Sequence, residues 1–151
     1  MHEFSMKEKS IYRPPNRILE TVLYCDDLEK SGIFYEKVIR LNLVSSQPDR
    51  HRFYQLQQGM LLLFRAHVTK SETVTVAGQT IPKHGTRGNG HLAFATEPEQ
   101  LIVIAERLAA FQIPIESEIV WPSGGKSLYC RDPAGNSIEF ATPQIWFEHD
   151  R

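Results

Sequence analysis

The same order of secondary-structure signals runs twice through this chain. Residues 17–25 (RILETVLYC) are rich in β-formers and predict a strand. Asp26-Asp27 follow, and an aspartate there can cap a helix carrying Leu28, Ile33, Phe34, Val38 and Ile39 at roughly helical spacing. Three short strands are expected at 41–45, 52–56 and 60–64, the last two joined by a tight turn at Gln57-Gln58-Gly59. The second half begins again with a strand at 91–95. A helix follows at 97–111, with Leu101, Ile104, Ala105, Leu108 and Ala109 on one face. Strands are expected at 115–121, 127–130 and 137–141, with Asp132-Pro133-Ala134-Gly135-Asn136 as a strong turn signal before the last. Each half reads β-α-β-β-β. A unit this small cannot bury its sheet face alone, so the repeat implies a pseudo-twofold in which each unit covers the other. The fold class expected is α+β, two tandem βαβββ modules with eight main strands and two long helices.

The rest of the chain is arranged around these modules. Residues 1–16 predict a flexible leader: Glu3, Lys7, Glu8, Lys9 and Arg13 leave no apolar signal stretch, and Pro14-Pro15 block continuation into a helix. The domain proper is expected at 17–143, with modules 17–65 and 89–143, and a tail at 144–151. Residues 65–90 are long and polar. Thr73 to Val76, a turn at Ala77-Gly78 and Thr80-Ile81 suggest a small hairpin, and Gly85, Gly88 and Gly90 would permit hinge movement. The segment is either a functional cover or a plain connector. Sheet edges and Ile145, Trp146 and Phe147 in the tail need covering, which predicts a homodimer. Over 151 residues the net charge is -1, so the basic footprint of a nucleic-acid binder is missing, and no apolar run is long enough to span a bilayer. Neither nucleic acid nor membrane is an expected partner. Cys25 and Cys130 form no CxxC pair and no disulfide framework, and they read as ordinary buried thiols of a cytoplasmic protein.

Three polar residues interrupt strands that would favour apolar ones. Glu20 sits in Leu19-Glu20-Thr21-Val22, His91 opens the second half, and Glu139 lies between Ile138 and Phe140. A buried carboxylate needs a cation, a proton or strong donors. One shared divalent metal would satisfy all three, and two carboxylates with one imidazole suit Mn²⁺, Fe²⁺, Co²⁺, Ni²⁺ or Zn²⁺. Three protein ligands leave positions open for water or substrate, as catalytic sites do. The alternative is three partly exposed strand residues paired to nearby arginines. Tyr129 is either near the site or packing. Lys126, Arg52, His84 and Arg87 either hold an anionic group or are solvated surface. Phe53, Phe64, Phe94, Trp121 and Phe140 either line an apolar cleft or form the core. Gly124-Gly125-Lys126 does not match a phosphate loop.

Residues 18–28 running on to Phe34-Tyr35, then Gly90-His91-Leu92-Ala93-Phe94-Ala95, and above all Ser127-Leu128-Tyr129-Cys130-Arg131-Asp132-Pro133-Ala134-Gly135-Asn136-Ser137-Ile138-Glu139-Phe140 resemble the vicinal-oxygen-chelate superfamily of glyoxalases, bleomycin-resistance proteins and dioxygenases. The resemblance covers residues 17–143. It implies curved mixed sheets around a shared cleft, with a divalent metal held by Glu20, His91 and Glu139. It also implies a small-molecule substrate, with Glu20 or Glu139 serving as proton-transfer base. The reaction would be of lyase, isomerase, transferase or dioxygenase type; the alternative is a metal-free protein that sequesters a small molecule. Aligning Gly59 with Gly135 puts the remaining family ligand position at Leu63, which cannot bind metal. The four-ligand arrangement of glyoxalase I is therefore not expected. Leu63 should face the metal without binding it.

Overall fold

The computed structural model describes residues 11–148; residues 1–10 of the expected leader and 149–151 of the expected tail lie outside them. The first module runs β1 (Glu20–Tyr24), α1 (Leu28–Ile33), a π-helical continuation (Phe34–Val38), β2 (Asn42–Gln47), β3 (His51–Gln55) and β4 (Met60–Phe64). Asp27 caps α1 as expected, its Oδ1 accepting from the N–H groups of Glu29 and Lys30 at 3.1 and 3.0 Å. The intervening segment holds α2 (Ala66–Ser71), β5 (Val74–Val76) and β6 (Gln79–Ile81). The second module comprises β7 (His91–Ala95), α3 (Pro98–Ala110), β8 (Ser117–Val120), β9 (Lys126–Arg131) and β10 (Ser137–Ala141). The two module sheets have orders β1-β4-β3-β2 and β7-β10-β9-β8. In each, the first strand runs parallel to the last and the others are antiparallel. The repeated order thus becomes a repeated topology, with the first strand of each module at a sheet edge.

Alternation along the strands decides what each sheet buries. Leu23, Leu61 and Leu63 turn to one side, where they meet Leu28, Phe34, Tyr35 and Val38. That cluster is continuous with Leu101, Leu108, Leu128, Cys130, Ile138 and Phe140 of the second module. One core is therefore shared by the inner faces of both sheets and both long helices. Phe94 packs against it by stacking on Phe140, ring centroids 5.6 Å apart. Cys25 and Cys130 are free and buried there, and burial pushes their thiols up to about 11 and about 12 respectively.

The 132–136 turn ties the modules together. Asp132 Oδ1 accepts from the N–H groups of Ala134 and Asn136, and its Oδ2 accepts from Tyr35 Oη at 2.7 Å and from Asn136 Nδ2 at 2.9 Å. Asn136 Nδ2 also donates to the Tyr24 carbonyl, while its Oδ1 accepts from Gly90 N. Asp132 and Asn136 are both buried. Burial, and then the Asp132 carboxylate, holds the Tyr35 phenol far above its ordinary pKa.

Segment 65–90 is more structured than expected. The hairpin forms around Ala77 and Gly78, whose φ values of 50 and 79° give the two positive positions of a tight two-residue turn. The α2 helix has no counterpart in the sequence reading. It is one short stretch with no side-chain cap and only Ala66 and Thr69 buried, so it leaves no apolar periodicity to read. No helix among the described residues is long and apolar enough to cross a membrane.

Candidate metal centre and adjoining cavity

Strands β7 and β10 pair in the register Ser137↔His91 and Glu139↔Ala93, so His91 and Glu139 project from the same outer face. The His91 side chain is 53% exposed and that of Glu139 only 7%. His91 Nδ1 lies 3.0 Å from the Ser137 carbonyl oxygen, which can only accept. Nδ1 therefore carries the proton, and in the neutral ring Nε2 presents a lone pair. Nε2 faces Glu139 Oε2 at 3.8 Å, beyond hydrogen-bond range. Two acceptors meeting across this gap call for a cation. Two donors each about 2.0–2.2 Å from one ion can stand up to about 4 Å apart. Fixing one imidazole nitrogen through a carbonyl is also how proteins orient a metal-ligating histidine. The pair thus fits a divalent ion. Tyr129, opposite Glu139 on β9, stacks against His91 with ring centroids 6.3 Å apart. Burial, and then the neighbouring Glu139 carboxylate, raise the Tyr129 phenol.

Glu20 stands on the other sheet. With Val22, Tyr24, Phe53, Leu62 and Phe64 it lines a cavity of about 760 Å³ on the outer face of the first sheet, walled by Val74, Ile81 and His84. No residue of module 89–143 lines this cavity, so within one chain the two modules do not share it. Among the described residues, no three His, Cys, Asp or Glu side chains converge to hold a metal. The structure brings His91 and Glu139 together and leaves Glu20 apart.

Register also corrects the expectation for Leu63. Glu20 pairs with Met60 as His91 pairs with Ser137, so the first-module equivalent of Glu139 is Leu62. Leu62 lines the cavity, whereas Leu63 is fully buried in the core behind the sheet. Residues 56–59 connect β3 to β4 with one residue fewer than 132–136 provide between β9 and β10. Matching the glycines therefore shifted the alignment by one position, and a one-residue slip exchanges the faces of a strand.

The other sequence candidates divide. Arg52 points to the inner side and donates to Glu36 at 2.9 Å beside Tyr54, a structural pairing. Lys126 opens β9, where its backbone N–H donates to Thr142 Oγ1. Arg87 borders a polar groove with Lys30, His67 and Lys70. His84 belongs to the cavity: its Nδ1 lies 2.6 Å from Tyr24 Oη. Phe53 and Phe64 line that cavity, but Phe140 lies in the core and Phe94 packs against it. Trp121 donates from Nε1 to Ser127 Oγ at 2.8 Å. Arg50 and His51 escaped the sequence reading. The available signal was period two, since His51, Phe53 and Gln55 alternate onto the outer face.

Residues 17–140 match the Glyoxalase/Bleomycin resistance protein/Dioxygenase superfamily, and the chain belongs to that family. Among solved structures it is similar to a lactoylglutathione lyase from Agrobacterium tumefaciens, at 37% identity and TM-score 0.81 over 89% of this chain and 98% of that one. It is also similar to a glyoxalase-related enzyme from Fulvimarina pelagi, at 25% identity and TM-score 0.64 over 88% and 92% of the two chains. The fosfomycin resistance protein FosX from Mesorhizobium loti shares the fold, at 18% identity and TM-score 0.57 over 86% and 93%.

Proposed function

We propose that this chain is a divalent-metal-dependent glyoxalase-like enzyme of lyase or isomerase type, acting on a small substrate with adjacent oxygen atoms. The observation that carries this is the His91–Glu139 pair, whose acceptor atoms face each other at 3.8 Å with the imidazole orientation set by Ser137. The likeness to the Agrobacterium lactoylglutathione lyase favours lyase chemistry. An ion of the Mn, Fe, Co, Ni or Zn kind would supply Lewis acidity to the substrate oxygens. Glu139, in a nearly closed setting beside Tyr129, is placed to hold or move a proton, and Tyr129 keeps the His91 ring in position.

Glu20 supplies the third donor in this reading, from a second copy of the chain. Its own sheet edge is flanked by Ile18 and Leu19, 77% and 63% exposed, and Val120 of the second module and Trp146 and Phe147 after it are also exposed. A homodimer that lays the first sheet of one copy against the second sheet of the other would cover these groups and bring Glu20 to the pair.

The test is elemental analysis of protein purified without chelators, combined with light scattering. Bound divalent metal in a dimer is expected, with His91→Ala losing most of it and Glu20→Ala and Glu139→Gln each losing part. The aromatic-lined cavity favours a second reading, capture of a small planar compound without catalysis. Metal-free protein that His91→Ala leaves unchanged would make that reading the better one.

A further inference from the structure

The cavity on the first sheet has two unlike ends. Glu20, Val22 and Tyr24 occupy alternate positions on β1, which separates Glu20 from Tyr24 by about 13 Å along the strand. Between them the floor is apolar: Val22 and Leu62 lie side by side, with Phe53 next in register. The far end is polar. Arg50, in the turn before β3, holds its guanidinium 5.3 Å above the Phe64 ring centroid. It engages His51 Nδ1 through Nη1 at 2.8 Å and Glu72 through Nε at only 3.9 Å, and among the described residues no hydrogen bond or ion pair occupies its Nη2. Tyr24 Oη and His84 Nδ1 share a proton across 2.6 Å. Whichever atom donates, a second donor is left over. If Tyr24 donates, His84 Nε2 carries a hydrogen; if His84 donates, the Tyr24 hydroxyl is free.

We infer that this far end binds a carboxylate, and that the molecule taken by the site is an acid with an apolar middle and chelating oxygens at the opposite end. A permanently charged planar donor and the donor left over by the Tyr24–His84 pair, around an apolar floor, match the two oxygens of a carboxylate. The assignment deepens the metal-dependent reading by naming its substrate class. It rests on that reading only for the chelating end, because the far end lies within one chain and needs no metal. Glu72 is the opposing charge there, and its side chain is 54% exposed and free to swing outward.

The experiment uses the full chain after chelator treatment, titrated calorimetrically with 3-phenylpropionate and with its neutral partner 3-phenylpropionamide. The carboxylate is expected to bind about tenfold tighter than the amide, the scale of one charge-assisted hydrogen bond. Arg50→Gln should abolish the preference while leaving amide binding in place. Glu72→Gln should keep or increase it. Equal binding of acid and amide by the wild type overturns the inference. So does a preference that survives Arg50→Gln, or one that Glu72→Gln abolishes equally, since Arg50 would then only prop the hairpin. Wild-type protein that binds metal but shows no preference would sink this inference alone; wild-type protein that shows the preference but binds no metal would sink only the metal-dependent reading.

Discussion

On the first sheet Glu20, Val22 and Tyr24 stand beside Met60, Leu62 and Phe64; on the second, His91, Ala93 and Ala95 stand beside Ser137, Glu139 and Ala141. These are the same positions of the same topology. The first face has a bulky apolar floor with one carboxylate at its rim. The second has small residues that leave space around an imidazole and a carboxylate. Duplication supplies two copies of the framework, and only outer-face side chains need change for one copy to line an aromatic cavity while the other carries the His91–Glu139 pair. The inner faces have no such freedom, because they fill one shared core.

The largest expected effect breaks or upholds this division directly. Leu63→Glu places a carboxylate in the shared core without a partner and should cost more than about 4 kcal/mol, enough to unfold many domains. Leu62→Glu places the same charge one residue away, facing the cavity, and should cost about 1–2 kcal/mol. Urea unfolding of both variants measures the contrast, and comparable losses would mean that the two faces are not distinct as described.

The connecting turns differ in the same way. Asp132→Ala leaves Tyr35 Oη and two backbone N–H groups unsatisfied in a buried clamp, and should cost about 3 kcal/mol. The corresponding first-module connection is shorter and exposed at Gln58, so Gln58→Ala should stay within about 0.5 kcal/mol. If thermal or urea unfolding shows Asp132→Ala to be as mild, the turn is not what holds the modules in register.

Most of the architecture was legible because period-two alternation and one amphipathic helix per module are imposed by burial on a single core. Strands β4, β7 and β10 coincide with the expected segments for that reason. What escaped depends on tertiary contact. The α2 helix carries little periodicity. The inner or outer sense of Leu62 and Leu63 in an apolar run of five residues depends on register, which the turn length sets. Asp132 and Asn136 were readable as turn formers, but their bonds to Tyr35 and Tyr24 run across about a hundred residues of sequence, and no local pattern marks them. Glu20, His91 and Glu139 stood out as polar breaks in apolar strands, a signal that marks each residue without saying which ones meet.

Alkaline pH probes the core that both modules share. Burial raises Cys25 in the first module to about 11 and Cys130 in the second to about 12, whereas both ionise near 9 when unfolded. The thiols' contribution to stability is therefore full below pH 9 and is lost as pH rises through 11–12, because the unfolded chain releases those protons first. Thiolate absorbance near 240 nm should remain flat in native protein at pH 9–10 and rise at once on unfolding. An early rise in native protein would place either cysteine outside the core.

The smallest effect contrasts two histidines. His51 on the first sheet is 8% exposed and stacks on Phe53 at 3.9 Å, whereas the His91 side chain on the second is 53% exposed. Burial, and then the charge of Arg50, lowers the His51 pKa from its ordinary 6.5. Ser45 Oγ meets its Nε2, and Asp26, Asp27, Glu29, Asp49, Arg52 and Arg65 border the groove on its other side. As pH falls below 6.5 the unfolded chain takes up this proton more readily than the folded one. The His51 contribution is thus present above 6.5 and lost on acidification. The His51 ring-proton resonance should titrate with a midpoint below 6.5. Arg50→Gln should move it partway back, since burial, the larger cause, remains. His51→Phe keeps a ring on Phe53 and should show a smaller fall in urea midpoint between pH 7.5 and pH 5 than the wild type does. A midpoint at or above 6.5 would mean that the first-sheet face is wetter than its aromatic floor implies, and that its contrast with the open His91 site is one of residue type rather than of solvation.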